Sequence, residues 1–330
     1  MAKKLEEKRV RMFDLFSNNL QLVCNAPGVI PTMDLTGIYI CPLCMRHFTK
    51  DALKVDSPNQ LTFEDVPPKA LGGSIRTLTC KECNNVGGQK VDIHVVNVLK
   101  GMDFFSFSPN SGTPVKFKTS EGEVNGRVDV NAEGTVVINM DSKSSHPKHS
   151  KELEEHVESK KHSIDGVPLS FTVTQKKADE RTAEIALLRI AYLTTFSTFG
   201  YGFILDDNLR VIRHQILNPD KEIIPRLTPI QIKFPKEDYG VNFISAPAEL
   251  RCLLVIFDLV TPSRSYQFAI PLPAPLKSGL AIYDNIREEL AKGNKKCTFE
   301  HIPEGDYLRD EELVTHTIGI WKADMLEEED

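Results

Sequence analysis

The sequence predicts an α+β protein: a small cysteine-stapled module in the first third, a small antiparallel β unit after it, and a larger mixed α+β domain at the C-terminal end. Three observations carry this expectation. Two Cys-x-x-Cys pairs, Cys41/Cys44 and Cys80/Cys83, bracket a segment of 35 residues, too long for a simple turn. Runs that alternate apolar and polar residues, the pattern of half-buried strands, recur between Val115 and Met140. A helix pattern from Ala178 to Phe199 is apolar on most sides, which implies deep burial.

In chain order, Leu5, Val10, Met12, Phe13, Phe16 and Leu20 predict an amphipathic helix from Lys4 to Leu22, broken by Pro27, Gly28 and Pro31. Its basic residues Lys3, Lys4, Lys8, Arg9 and Arg11 read either as a solvated helix face or as a local nucleic-acid contact. Residues 36–104 predict a strand at Gly37–Ile40, a cysteine knuckle, a hairpin near Leu61–Val66 and a helix from Asn85 to Lys100. Residues 105–145 hold the β unit, with a turn at Asn-Ala-Glu-Gly before the last strand. A polar stretch with His146, His149, His156 and His162 has no ligand spacing and reads as a linker over 146–165 with a short charged helix. The C-terminal domain, 166–330, opens with a strand at Leu169–Thr174 and the apolar helix, whose Tyr192, Phe196, Phe199, Tyr201 and Phe203 read as core before base-stacking groups. Strands at Leu250–Val260, Tyr266–Ile270 and Cys297–Ile302 and a helix at Leu280–Lys292 follow, then an acidic tail, Glu327–Asp330.

Composition narrows the class. Hydrophobic residues make up 41% and charged residues 26%, and no apolar run approaches the roughly 20 residues of a membrane-spanning helix. The start, Met-Ala-Lys-Lys, is charged where a signal peptide would be apolar, so the expected location is the cytoplasm, with no membrane partner. There, paired thiols favour zinc over disulfides. Each cysteine pair can wrap one side of a tetrahedral Zn2+, and together Cys41, Cys44, Cys80 and Cys83 make a closed site, structural and not catalytic. His47 is a spare ligand that four cysteines do not need. The formal net charge of −6 argues against coating nucleic acid by bulk electrostatics, so any such contact has to be a local patch.

Between and after the cysteines the chain reads Leu61-Thr-Phe-Glu64-Asp65-Val66-Pro67-Pro68-Lys69-Ala-Leu-Gly72-Gly73, then Leu78-Thr79-Cys80-Lys-Glu-Cys83-Asn84-Asn85-Val-Gly87-Gly88, and then Asp92-Ile-His94. Over residues 37–100 this resembles the HNH (ββα-metal, treble-clef-like) endonuclease superfamily. It is most similar to bacterial four-cysteine members written Glu-His-x-Pro-Pro-x-x-Leu-Gly-Gly, then Leu-Thr-Cys-x-x-Cys-Asn-Asn, and to the phage endonuclease VII type in site layout. The resemblance implies cleavage of nucleic acid, DNA favoured, with a catalytic Mg2+ or Mn2+. Glu64 would be a metal ligand, Asn84 a ligand or hairpin clamp, and Asp65 stands where the family has its histidine base. Asp92 and His94, two residues apart on a helix, cannot both face the site, and Asp92 is favoured. The residue types also fit independently: phosphodiester hydrolysis needs a hard cation on oxygen ligands, which Glu64, Asp65, Asn84 and Asp92 offer. Gly72-Gly73 and Gly87-Gly88 suit either phosphate approach or tight turns, and Lys69, Arg76, Lys81 and Lys90 either phosphate contacts or solvated charges.

The second half resembles, more weakly, the region that follows such modules in bacterial proteins of phage-defence or mobile-element settings, on Ala186–Leu193, Phe199–Tyr201 and Val211–Ile216. It is expected to target or regulate, with an activating partner or a homo-oligomer as trigger. The competing expectation is an HNH scaffold that binds nucleic acid or regulates with weakened cleavage, since the family histidine is missing.

Overall fold

The structure is a computed structural model that describes residues 2–326 apart from 32, 56, 142, 161–168, 175–177, 205–206, 228–232, 274–278 and 294–296. His162 and the acidic tail lie outside the described residues. Helix α1 (Ala2–Asn25) opens the chain, followed by the short antiparallel pair β1 (Tyr39–Ile40) and β2 (His47–Phe48). Strands β3 (Leu61–Val66) and β4 (Ser74–Cys80) form an antiparallel hairpin. From Lys81 the backbone stays helical through α2 (Lys81–Val86), a π-helical stretch (Gly87–Asp92) and α3 (Ile93–Phe105). Then come β5 (Ser111–Lys118), β6 (Glu123–Val130), β7 (Val136–Met140), α4 (Pro147–Ser159) and β8 (Phe171–Val173). The rest is α5 (Glu180–Phe199), α6 (Tyr201–Ile204), α7 (Asp207–Leu217), β9 (Gly240–Ala246), β10 (Cys252–Val260), β11 (Ser265–Leu272), α8 (Ala281–Ala291), β12 (Thr298–His301) and α9 (Glu311–Leu326).

These elements divide into two compact units, and the division departs from the predicted boundaries. One unit joins Met1–Val95 to Glu180–Leu259 and Tyr266–Asp330; the other is Val96–Asp179 with Val260–Ser265. The cysteine module and the second half of the chain are therefore one body, not two domains on either side of a linker. Residues 146–165 do not act as that linker over their described part. Helix α4 buries Leu153 among Val115, Phe117, Val124 and Val128, so it belongs to the β unit. The strand expected to open the C-terminal domain also belongs there: β8 pairs with β5, Val115 opposite Val173, in a sheet ordered β7-β6-β5-β8.

Helix α5 organises the first unit. Thirteen of its residues, Ala183 to Phe199, are buried, which explains an apolar pattern with no solvent stripe. It packs against β3, β4, the π-helical stretch, α6, α7 and β9, the last in a sheet ordered β11-β10-β9-β12. Its aromatic residues are core: Phe196 stacks on Phe16 of α1 with ring centroids 4.8 Å apart, and Tyr192 donates a hydrogen bond to the Pro42 carbonyl at 2.7 Å. Just beyond it, the Tyr201 hydroxyl accepts from Ile40 N and donates to Ile40 O, both at 2.8 Å. Those bonds satisfy a buried β1 backbone that a two-residue strand leaves short of partners. Among the described residues no helix is long and apolar enough to cross a membrane.

Candidate functional site

The cysteines arrive from two local structures. After β1, a tight turn closes with Met45 N donating to Cys41 O at 2.9 Å, Met45 itself in the left-handed region at φ +59°, and this brings Cys44 back beside Cys41. Cys80 ends β4 and Cys83 lies in the first turn of α2, so strand and helix deliver the second pair together. The four sulfur atoms all lie within 4.8 Å of one another, compatible with a structural zinc. Exposed His47 is not among them. Around them the protein supplies positive partners for thiolate charge: Arg46 donates to Cys44 Sγ at 3.3 Å and to Cys80 Sγ at 3.0 Å, and Cys80 N approaches Cys41 Sγ at 3.5 Å. Hydrogen bonds from Cys41 and its two neighbours hold the Cys44 thiol far below its ordinary range, whereas burial pushes Cys41 up. Four thiols this close cannot all ionise without a cation among them.

The acidic residues expected at a catalytic metal are arranged differently. Glu64 (4% exposed) and Asp92 (7%) are brought together, with Arg189 of α5 (1%) between them. Arg189 Nη2 donates to Glu64 Oε1 at 2.7 Å, and Nη1 donates to both Asp92 oxygens, at 2.9 and 3.2 Å. Thr79 Oγ1 occupies the other Glu64 oxygen at 2.7 Å. Burial pushes the Asp92 carboxyl up to about 6, with the Arg189 charge pulling the other way and Glu64 adding to the rise. Burial also opposes the Arg189 charge, yet Glu64 and Asp92 hold its pKa above the ordinary value. The protein's own cation thus fills the space between the two carboxylates.

The second glycine pair finds its reason here. A Cβ on Gly87 would stand 2.5 Å from Arg189 Nη2, so the helix can lie against the guanidinium only where a side chain is absent. The π-helical stretch begins at this glycine and ends at Asp92, which it turns inward to the arginine while exposed Ile93 faces away. His94 is half-buried and is not part of the triad. In the first pair, a Cβ on Gly73 would meet the Pro67 carbonyl oxygen at 1.5 Å; this is turn packing within the hairpin.

Asp65 and Asn84 stand apart from the triad. The β3–β4 register slips between Glu64, opposite Thr77, and Asp65, opposite Ile75, leaving Arg76 in a bulge. Asp65 is half-buried, and no ion pair or hydrogen bond engages its carboxylate among the described residues. Asn84 clamps the hairpin: its amide donates to Phe63 O at 2.7 Å and to Thr62 Oγ1 at 3.0 Å, leaving Oδ1 as an uncommitted acceptor. From α1, Lys8 Nζ lies 6.0 Å and the Arg9 guanidinium 5.1 Å from the Phe63 ring, so the N-terminal basic cluster reaches the same hairpin. Lys69, Arg76, Lys81 and Lys90 are exposed.

Arg189 is the member of this cluster that the sequence motifs do not single out. Its signal was present: a lone charge inside the apolar run Ile185–Leu193, and a buried arginine almost always has a carboxylate partner. The sequence matches no protein family and no curated protein, and the fold matches no solved structure.

Proposed function

We propose that the chain is a metal-dependent nuclease of HNH type acting on DNA, with its chemistry at Asp65 and Asn84 and with Glu64 and Asp92 serving as structural groups. The observation that carries the reading is the hairpin. A strand–bulge–strand–helix unit on a four-cysteine cluster presents one uncommitted carboxylate, Asp65, and one uncommitted amide oxygen, Asn84 Oδ1, beside basic side chains. These two oxygens would hold a hard divalent cation, which needs few protein ligands and supplies charge neutralisation and an activated water when bound. Lys8, and Arg76 in the bulge, orient the phosphate, and the Asn84 clamp fixes the hairpin so that Asp65 is held in place.

A second reading is favoured by Arg189. With two of the expected metal ligands already ion-paired to Arg189, the scaffold would bind nucleic acid or regulate without cutting it. Supercoiled plasmid incubated with Mg2+ or Mn2+ separates the two. Nicking by the intact chain that disappears in Asp65→Ala, with zinc content unchanged, supports the nuclease. Intact plasmid under both metals, with a retarded band in a gel-shift assay, supports the binding scaffold.

A further inference from the structure

The second unit carries a polar cavity of about 320 Å3, lined by Asn97, Lys100 and Asp103 of α3, by Asn110–Gly112 and Pro114 at the start of β5, by Arg127 of β6, and by Pro262 and Ser263. We infer that this cavity binds a phosphate monoester of about mononucleotide size, with the phosphate on Lys100 and Arg127.

The charges point to an anion. The Lys100 ammonium makes no ion pair or hydrogen bond among the described residues. Arg127 uses only Nε, donating to Asp129 at 2.6 Å, so its two terminal nitrogens keep their donors. The one carboxylate in the lining, Asp103, is 2% exposed and already answered by Arg264 at 2.9 Å. Lys100 is therefore an uncommitted cation on the wall, and Arg127, paired through Nε with Asp129, still offers the donors of its two terminal nitrogens.

The wall supplies a second, independent observation. Ser111 Oγ and Ser263 Oγ are both buried and neither has a hydrogen-bond partner among the described residues. Buried hydroxyls are ordinarily satisfied, and two orphans on one cavity wall are what remains when the acceptor is a ligand. Both residues line the cavity, and a phosphate, with three acceptor oxygens, can accept from hydroxyls and cationic side chains at once. Gly112 is part of the same construction. A Cβ there would stand 1.9 Å from Asp129 Oδ1 and 2.8 Å from Arg127 Nη2, so its absence lets the Arg127–Asp129 pair lie across β5. The volume is at the small end of ligand sites, which run from roughly 300 to 1,000 Å3. That suits one nucleotide and excludes a folded partner, and Pro114 and Pro262 offer apolar faces to a ring.

The test is calorimetric titration of the full chain with adenosine 5′-monophosphate, inorganic phosphate and adenosine as probes. We expect saturable binding of the monophosphate, weaker binding of phosphate, and none of adenosine. Lys100→Gln removes an exposed charge with no ion-pair or hydrogen-bond partner among the described residues, so the fold should be untouched, and it should weaken the monophosphate about tenfold through loss of a charge-assisted contact. Ser111→Ala should weaken it by a smaller factor. Asp65→Ala should leave binding unchanged, because this site is independent of the proposed nuclease chemistry. Absence of saturable binding, equal affinity for adenosine, an unchanged Lys100→Gln variant, or loss of binding in Asp65→Ala would each overturn the inference.

Discussion

Two clusters of like groups occupy the first unit, and they solve the same electrostatic problem in opposite ways. Cys41, Cys44, Cys80 and Cys83 gather four ionisable sulfurs within 4.8 Å of one another. Arg46 reaches two of them from an exposed position. Glu64 and Asp92 are also buried side by side, but Arg189 is buried with them and answers both. The cysteine cluster is compatible with a structural zinc; the acidic pair already shares a cation from the chain itself. Acidic residues in a metal-binding sequence pattern are thus not necessarily ligands, and what decides is whether a cation from elsewhere in the chain has taken their place.

The largest effect should follow from breaking the cysteine cluster. Structural zinc in small modules is worth on the order of 10 kcal/mol of folding free energy. Cys80→Ser, or a strong chelator, should therefore unfold β1–β4 and α2, and because α5 packs on β3 and β4, it should lower the cooperativity of the whole unit. Zinc analysis by mass spectrometry alongside thermal unfolding checks this. A zinc-free protein with an unchanged melting transition would refute the structural role.

Breaking the acidic cluster should cost less. Arg189→Ala leaves two buried carboxylates facing each other, and removal of one partner from a buried ion pair costs about 3–5 kcal/mol. Replacement of all three, as in Arg189→Met with Glu64→Gln and Asp92→Asn, should recover part of that loss, because the unpaired charge and not the missing pair is the penalty. Denaturant midpoints of the single and triple variants measure the difference. If Arg189→Ala costs under about 1 kcal/mol, the triad contributes nothing beyond packing.

Asp92 gives the same comparison in pH. Its folded pKa, about 6, lies above the ordinary unfolded value, so between about pH 4 and 6 the folded state holds a proton that the unfolded state has lost. Stability from this group therefore falls as pH rises through that window, by up to about 3 kcal/mol, and is flat beyond it. Asp92→Asn should remove that slope. The measurement is the denaturant midpoint from pH 4 to 7 for both proteins; parallel curves would place the titration elsewhere.

How far the sequence could be read follows the same contrast. The cysteine site was legible because its spacing is local: each pair is set by a turn or a helix start within four residues, and only their meeting needed the fold. Strands β5, β6 and β7 were legible from alternation and β10 from its apolar run, whereas β9 was not anticipated. The triad was not legible, because Arg189 is separated by 97 residues from Asp92 and by 125 from Glu64, and no periodicity links positions so far apart. The unit boundary failed for the same reason. Composition marks residues 141–163 as polar, but Leu153 is buried in the core of the sheet and Glu152 accepts hydrogen bonds from Ser120, so α4 joins the β unit.

The smallest effect on stability, and the sharpest separation of the two kinds of acid, is expected at neighbouring residues of β3. Glu64 is buried with both oxygens engaged, whereas Asp65, past the bulge, is half-buried and uncommitted. Glu64→Ala should destabilise, though by less than Arg189→Ala, since it leaves Arg189 paired with Asp92 and orphans Thr79 Oγ1. Asp65→Ala breaks no hydrogen bond or ion pair among the described residues and should shift stability by less than about 0.5 kcal/mol. If the hairpin performs the proposed chemistry, the ranking inverts for cleavage: Asp65→Ala abolishes nicking with the fold intact, while any loss in Glu64→Ala tracks its unfolding. Assaying both variants well below their melting temperatures distinguishes the cases. Nicking that survives in Asp65→Ala and vanishes in folded Glu64→Ala would return the chemistry to the buried pair, and would require Arg189 to leave it when metal binds.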